Sequence, residues 1–167
     1  IFLDAKPNKA HLKLAEMEQA GKLSAIVTQN IDGIHQAAGS KNVFELHGSV
    51  HRNYCQKCGK FFDVNYVVNA KGVPYCDECG GIIKPDVVLY EEGLDSQTIN
   101  GAVRAISKAD MLIIGGTSLV VYPAAGMIDY FKGKYLAVLN RDATSRDKQA
   151  DLCITDPIGE VLGRIRV

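Results

Sequence analysis

The sequence predicts an α/β fold in which helices cover both faces of a mostly parallel sheet and a small cysteine-rich module interrupts the sheet. Segments typical of strands alternate with segments typical of helices along most of the 167 residues, and this alternation is the pattern of a parallel sheet. The stretch DMLIIGG at 110–116 is apolar without alternation, as expected for a strand buried on both faces. Two Cys-x2-Cys pairs interrupt the alternation near the middle of the chain.

Local start and stop signals delimit the helices. Pro7 suits the first turn of the first helix and Gly21 ends it. Asp95 or Ser96 is the expected N-cap of a later helix, and Pro123 opens the next one. The predicted helices cover 7–22, 95–109, 123–133 and 157–167, with a further one at 61–70 between the cysteine pairs.

Short β-branched or apolar runs between these helices predict the strands. They cover 23–29, 42–48, 81–90, 110–116, 134–140 and 151–155. Pro85 interrupts the third of these strands, which is otherwise extended and β-branched. Cys153 lies in the last one, where it is expected to be a small buried core residue.

The paired cysteines have the spacing of a zinc site. Each Cys-x2-Cys pair lets one tight turn present two thiolates to the same ion, and seventeen residues separate the pairs. Disulfides would suit an exported, cysteine-dense chain, and a redox pair needs only one such motif. A four-thiolate site leaves no open position for substrate, so one structural Zn²⁺ is expected and the chemistry must lie elsewhere. The ligands are Cys55, Cys58, Cys76 and Cys79.

Composition gives no reason to expect nucleic acid or membrane as a partner. Lys and Arg number 19, as do Asp and Glu, so the formal net charge is zero. No apolar run approaches the length of a membrane span, and the first residues lack the features of a signal peptide. We therefore expect a cytoplasmic protein. The chain begins at Ile1 rather than Met, which is compatible with a piece of something longer.

Polar residues follow four of the predicted strands. In open α/β sheets ligands bind beyond the carboxyl ends of the strands, so these residues belong together. The amides and carboxylate of TQNID are costly to bury unless they bind something. The four stretches are TQNIDGIH at 28–35, LHGS at 46–49, GGTSLVVYPAAG at 115–126 and NRD at 140–142.

Each stretch taken alone is ambiguous. Gly116, Thr117 and Ser118 could cradle a phosphate or ribose, but many strand-to-helix turns use Gly and Ser. Asn140 could bond a ribose or simply cap a turn. His47 has the side chain most used as a general base near neutral pH, although a single His is more often structural.

Taken in order, these motifs resemble the sirtuins, a family of NAD-dependent protein deacylases. TQNIDGIH, ELHG, the two cysteine pairs, KPDVVLYEE, GTSLVVYPA and LN follow one another along nearly the whole chain. The resemblance implies a Rossmann-like domain and a small zinc-ribbon domain with the active site in the cleft between them. It assigns 1–50 and 85–167 to the first domain and 51–84 to the second.

The resemblance also implies roles for individual residues. Asn30 and Asp32 would hold the nicotinamide end of NAD and its ribose, with Gln29 and Ile31 beside them, and His47 would be the general base. The adenosine half of NAD would contact Gly116, Thr117, Ser118 and Asn140, and more loosely Cys153. Val87, Val88 and Tyr90 would bind the acyl-lysine substrate. The implied reaction transfers the acyl group of acyl-lysine to ADP-ribose and releases nicotinamide.

The chain departs from the family pattern in two places. The glycine-rich turn of type GAGIS, which would supply the pyrophosphate site, has no counterpart in these residues. The usual V-V-x-F-G-E reads VVLYEE, so that Tyr90 stands in place of Phe and Glu91 in place of Gly. Two alternatives to deacylation remain open: a mono-ADP-ribosyltransferase on the same scaffold, and a catalytically incomplete, zinc-stabilised binding module.

Overall fold

The computed structural model describes residues 3–167, which form eight strands, five α-helices and two short 3-10 helices. The strands are β1 Ile26–Thr28, β2 Val43–Glu45, β3 Gly48–Cys55, β4 Phe61–Phe62, β5 Ile83–Val87, β6 Met111–Gly115, β7 Tyr135–Leu139 and β8 Leu152–Ile154. The α-helices are α1 Lys9–Gln19, α2 Ile34–Ala37, α3 Val64–Val68, α4 Ser96–Lys108 and α5 Ile158–Gly163. The 3-10 helices cover Ala124–Tyr130 and Asp147–Gln149. None of the helices in the described residues combines the length and apolarity needed to cross a membrane.

The parallel strands confirm the predicted fold class. β1 pairs in parallel with β2, and β7 pairs in parallel with β6 on one side and β8 on the other. Within residues 3–167 these strands form two separately hydrogen-bonded sheets rather than one. A shared apolar core lies between the sheets: α4 and the longer 3-10 helix bring Ala102, Ile106 and Met127 against Phe44 and Leu46 at the end of the first sheet.

Helices cover both faces of the β6–β7–β8 sheet, as the sequence predicts. Alternate residues of β7 point to opposite faces because side chains alternate along a strand. Ala137 and Leu139 pack in one core cluster against α1 and α5. Leu136 and Val138 belong to another, which the longer 3-10 helix covers. All four are buried, so β7 is the central strand of this sheet.

Two sequence predictions about burial are wrong, because they treated edge strands as central ones. β6 was expected to be buried on both faces, but within residues 3–167 it lies at one edge of its sheet, and Met111 is exposed. β8 lies at the other edge, and Cys153 on it is exposed rather than part of the core. Apolar composition alone does not separate an edge strand from a central one, since both pack one face on the core.

Four of the five predicted helices begin within two residues of the predicted start, and α3 begins three residues after it. Asp95 is the N-cap of α4, and its carboxylate accepts a hydrogen bond from the N–H of Thr98 at 2.7 Å. Asn8 rather than Pro7 begins α1, since its side-chain oxygen accepts hydrogen bonds from the first turn. The helix predicted at 123–133 is a 3-10 helix after Pro123, and 61–70 contains both β4 and α3.

The longest strand, β3, is not predicted from the sequence. β3 pairs antiparallel with β4 on one side and with β5 on the other, and the register of the β3–β5 pair shifts between Ser49 and Asn53. This small sheet has its own core, which contains Cys55, Phe62 and Ile83. The module therefore continues directly from the end of β2, with only two residues between them.

Two helix glycines provide a matched test of the packing. A Cβ at Gly101 in α4 would collide with the ring of Phe44 on β2, whereas the nearest atoms to a Cβ at Gly159 in α5 lie 4.0 Å away. We expect Gly101→Ala to destabilise the fold by about 1–3 kcal/mol through overpacking. Gly159→Ala should instead stabilise it by up to about 1 kcal/mol, because Ala favours the helix. Urea unfolding of both variants measures the difference, and equal effects would mean that α4 does not pack on β2 as described.

Candidate active site and metal centre

His47 stands just beyond the carboxyl end of β2, beside the loop that follows β1. Its Nδ1 lies 3.1 Å from the carbonyl oxygen of Gln29. Because a carbonyl oxygen only accepts hydrogen bonds, Nδ1 carries a proton and donates it. In the neutral imidazole Nε2 is then unprotonated and can accept a proton. The loop backbone thus selects the tautomer that a general base requires.

Local hydrogen bonds shape the loop at 29–32. The hydroxyl oxygen of Thr28 accepts a hydrogen bond from the N–H of Asn30 at 3.1 Å. The Asp32 carboxylate accepts one from the N–H of Ile34 at 3.0 Å, where α2 begins. Asn30 is exposed, while Asp32 is half-buried. The loop therefore offers an amide and a carboxylate at the strand end without burying either of them completely.

Strand β3 forms hydrogen bonds with the other side of the loop at 29–32. The N–H of Val50 donates to the carbonyl of Ile31 at 3.0 Å, and His51 Nε2 lies 2.9 Å from the carbonyl oxygen of Asp32. Gly33 has a φ of +68°, and a Cβ there would lie 2.8 Å from the His51 ring. His51 is not predicted from the sequence, because a polar residue four positions before a zinc ligand is not itself a signal.

The predicted substrate segment runs directly past His47. Gly48 pairs with Val87 across the β3–β5 sheet, and the N–H of Val88 donates to the carbonyl of His47 at 3.1 Å. Val87 and Val88 are half-buried, whereas Tyr90 is fully exposed. The backbone of the segment is thus locked to the residue predicted as general base, while the phenol of Tyr90 points into solvent.

A second group of predicted residues gathers beyond β6 and β7. The N–H of Thr117 donates to the side-chain oxygen of Asn140 at 3.1 Å, which ties the two strand ends together. Gly116 has a φ of +63°, and no atom lies within 4 Å of the place where a Cβ would be. Ser118 is exposed beside it, and Cys153 on β8 is the strand neighbour of Val138. The arrangement is an open backbone turn with hydroxyl and amide groups.

The structure therefore brings the predicted residues together in two groups. The first contains the 29–32 loop, His47 and the segment at 87–88, and the second contains 116–118, Asn140 and Cys153. In the described part of the chain no hydrogen bond joins the two groups. Most of these residues lie at the carboxyl ends of parallel strands; the exceptions are the segment at 87–88, which ends antiparallel β5, and Cys153, which lies within β8.

The four predicted metal ligands form one compact cluster. Their sulfur atoms all lie within 4.8 Å of one another, with Cys55 and Cys79 separated by 3.4 Å and Cys58 and Cys76 by 3.6 Å. A tetrahedral site with Zn–S bonds of ~2.3 Å places its sulfurs about 3.8 Å apart, so the donor set and the spacing fit Zn²⁺. Four thiolates this close repel one another unless a cation holds them.

The turns around the cluster suit thiolate ligands. Backbone N–H groups at Cys58 and Lys57 lower the pKa of the Cys55 thiol to about 6. Gly59 and Gly80 both have φ near +70°, at the turn that follows each pair. Lys60 joins the two turns by binding Asp77 at 2.7 Å and Glu78 at 2.9 Å. The two halves of the module are therefore held together by side chains as well as by a metal.

Two histidines behind the 29–32 loop were also missed by the sequence analysis. The rings of His11 on α1 and His35 on α2 lie 4.8 Å apart. Burial, followed by the nearby His11, lowers the pKa of His35, although Asp32 and Glu45 act in the opposite direction. The Nδ1 atom of His35 is buried without a hydrogen-bond partner among the described residues. Only the packing of α1 on α2 reveals this pair, since 24 positions separate them in the sequence.

Comparison with known proteins assigns the chain to a family. The model of the Sir2 family matches residues 1–123. The chain belongs to the Sir2 family. It is 66% identical over 163 residues to an NAD-dependent protein deacetylase of Clostridium acetobutylicum, covering 97% of this chain and 66% of that protein. It is 64% identical over 166 residues to the protein of the same name from Clostridium perfringens, covering 99% of this chain and 68% of that protein.

The Sir2 fold is also evident among solved structures. A structure described as Sir2 with p53 peptide and NAD+ superposes with a TM-score of 0.90 at 40% sequence identity, covering 97% of this chain and 70% of that one. This Sir2 chain thus spans about two thirds of the length of the curated relatives it matches. The predicted α/β fold with a zinc-binding module is confirmed by this likeness and by the cysteine cluster.

The cysteine cluster predicts a zinc stoichiometry. Protein purified without chelator should contain about one Zn²⁺ per chain, and Cys58→Ser or Cys76→Ser should remove it. Loss of the ion should unfold the β4–β3–β5 sheet, because metal binding and folding of such a module are linked. Cys153→Ser is the matched control, since this thiol lies outside the cluster. Elemental analysis with circular dichroism measures both effects; a zinc-free parent protein would contradict the site.

The buried His35 predicts a loss of stability at acidic pH. Its pKa is lower in the folded state than the ordinary value of 6.5, so below that value the unfolded chain binds more protons than the folded one. Stability should therefore fall as the pH drops through 6.5 and level off below the folded pKa. His35→Gln should reduce this slope. Urea unfolding from pH 8 to pH 5 measures it, and the pH 8 comparison isolates the packing effect of the substitution. An unchanged slope would contradict the prediction.

Proposed function

We propose that the complete protein containing this chain is an NAD-dependent protein-lysine deacylase. The observation that carries the proposal is the position of His47. Its Nδ1 donates to the loop at 29–32, its carbonyl accepts from the segment at 87–88, and its Nε2 is left as a proton acceptor. His47 is therefore hydrogen-bonded through its imidazole to the predicted nicotinamide loop and through its backbone carbonyl to the predicted substrate strand. The relatives that are named NAD-dependent protein deacetylases support the same activity.

NAD would bind across both groups of strand-end residues. It supplies the ADP-ribose that accepts the acyl group and the nicotinamide that leaves. Asn30 and Asp32, with Gln29 and Ile31, would hold the nicotinamide end beyond β1. The open turn at 116–118, together with Asn140, would receive the adenosine half, because hydroxyl and amide groups suit ribose and phosphate oxygens. Cys153 would lie at the edge of that half.

The substrate would be an extended acyl-lysine peptide. Val87 and Val88 would pair with its backbone, since adding a strand gives affinity through main-chain hydrogen bonds and leaves the sequence requirement loose. Tyr90 would contact the peptide from its exposed position at the end of this segment. The acyl-lysine carbonyl oxygen is the nucleophile of the first step, so the protein needs no nucleophilic Ser or Cys of its own.

His47 would act after nicotinamide has left. Its Nε2 would take the proton from a ribose hydroxyl, and that oxygen would attack the acyl carbon. Water would then complete the transfer, giving free lysine and O-acyl-ADP-ribose. The Zn²⁺ ion has a full set of four thiolate ligands and would serve only to hold the small module in shape.

Domain division and location complete the proposal. We place the Rossmann-like domain at 1–50 and 85–167 and the zinc ribbon at 51–84, a division supported by the separate core of the β4–β3–β5 sheet. Strands β3 and β5 cross the two boundaries. We place the protein in the cytoplasm, where unpaired thiols persist; all five cysteines are free of disulfides. Acyl-lysine proteins, rather than nucleic acids or membranes, would be the partners.

Substitution of His47 separates its role from that of Asp32. In the complete protein, His47→Ala should lower deacylation of an acetyl-lysine peptide by ~10²–10⁴-fold, the usual cost of losing a general base. Nicotinamide exchange should be less affected, because the base acts after nicotinamide has left. Asp32→Asn should impair exchange as well, since it positions the nicotinamide end. The two assays, run with NAD on both variants and the parent, test this assignment.

The outcomes distinguish the competing functions. Deacylation by His47→Ala at the parent rate would make His47 a structural residue. Transfer of labelled ADP-ribose to protein without deacylation would indicate a mono-ADP-ribosyltransferase instead. A complete protein with bound zinc that shows neither reaction would be a binding module.

A further inference from the structure

Arg52 connects the two strands that flank His47. Its Nη1 donates to the carboxylate of Glu45 at 2.7 Å, and its Nε donates to the carboxylate of Asp86 at 2.8 Å. Glu45 is the last residue of β2, two positions before His47, and Asp86 comes directly before Val87 on β5. One guanidinium on β3 therefore joins the end of a parallel strand to the predicted substrate strand.

The backbone explains why a side chain is needed at this point. The β3–β5 register shifts between Ser49 and Asn53, so regular pairing is interrupted at the position of Arg52. On the near side, only the pairs at Gly48 and Ser49 hold β5 to β3. The guanidinium of Arg52 bridges the irregular part of the sheet through its hydrogen bonds to Glu45 and Asp86. The geometry of this bridge is well defined because the N–H donors of the guanidinium lie in one rigid plane.

The burial of the three groups differs. The Glu45 side chain is only 8% exposed, whereas Arg52 is 40% exposed and Asp86 is 46% exposed. Burial by itself would lower the pKa of Arg52, but its hydrogen bonds to Glu45 and Asp86 raise it. The buried carboxylate of Glu45 holds Arg52 against β2. The more exposed hydrogen bond from Arg52 to Asp86 connects it to β5, the strand that would bind the peptide. Exposed ion pairs add little to global stability, so we expect the Arg52–Asp86 pair to affect the position of β5 rather than the free energy of unfolding.

We propose that Arg52 is a positioning residue that sets the substrate strand relative to His47 for binding of an acyl-lysine peptide. This inference rests on the proposed deacylase function and assigns a peptide-specific role within it. Among the described residues, no hydrogen bond joins Arg52 or its two partners to the 116–118 turn or Asn140. The geometry therefore points to an effect on peptide binding rather than on the adenosine half of NAD.

The test compares three substitutions in the complete protein. Asp86→Asn weakens the ion pair between Arg52 and Asp86 but leaves the pair between Arg52 and Glu45 intact. Arg52→Gln removes both ion pairs. Each should raise the KM for an acetyl-lysine peptide about three- to fivefold, the upper part of the range for a partly exposed ion pair, with the KM for NAD within twofold of the parent value. Arg52→Lys should recover part of the loss by pairing with Glu45. Lys9→Gln, which breaks a surface ion pair between α1 and α5, is the matched control and should change neither KM.

A direct measurement of peptide binding distinguishes the positioning role of Arg52 from the proposed deacylase function. Fluorescence anisotropy with a labelled acetyl-lysine peptide should show the same loss of affinity for Asp86→Asn and Arg52→Gln. A parent protein that deacylates while its variants keep the parent KM and affinity would overturn the role of Arg52 alone. A parent that binds peptide in an Arg52-dependent way but does not deacylate would overturn the proposed function alone. A parent that neither binds nor deacylates the peptide would overturn both.

Discussion

The backbone contact between Gly48 and Asp86 is the constraint on which both site strands depend. Gly48 has a φ of +76°, and a Cβ at this position would collide with the Asp86 carbonyl oxygen. Only glycine combines this left-handed conformation with so close an approach. The turn it makes carries the chain from parallel β2 into antiparallel β3 and leaves the carbonyl of His47 facing the N–H of Val88. The backbone of His47 and the predicted substrate strand therefore cannot move apart without breaking this contact.

The cysteine cluster fixes the opposite ends of the same strands. Cys55 is the last residue of β3 and pairs with Ile83, the first residue of β5. The N–H of Cys76 donates to the carbonyl of Gly81 at 2.8 Å, which brings the second pair of cysteines next to that strand end. A metal held by these thiols is far along β3 from His47, yet it determines where β3 and β5 lie. A closed site of this kind contributes to function through folding rather than through chemistry.

Local patterns in the sequence predicted the cysteine cluster and a helix cap better than they predicted strand order and helix packing. Cysteine spacing and the Asp95 cap are short-range signals, and both appear as expected. Strand β3 was missed because His51 and Arg52 and the shifted register break the alternation by which a strand is recognised. Cys153 was misplaced because edge position depends on which strands pair, and this is decided far along the chain. The contact of His11 with His35 likewise arises only from helix packing.

The departure VVLYEE shows how side chains can replace a glycine in the substrate segment. Glu91, where the family pattern has Gly, adopts a φ of +71°, a conformation that costs a non-glycine residue on the order of 1 kcal/mol. The next residue offsets this, since the Glu92 carboxylate accepts hydrogen bonds from the N–H of Leu89 at 2.9 Å and from Lys84 at 3.2 Å. The first of these bonds, followed by the second, lowers the pKa of Glu92, so the carboxylate stays charged near neutral pH. The turn after β5 thus holds Glu91 in a left-handed conformation that glycine adopts at little cost, with the hydrogen bonds of Glu92 supporting it.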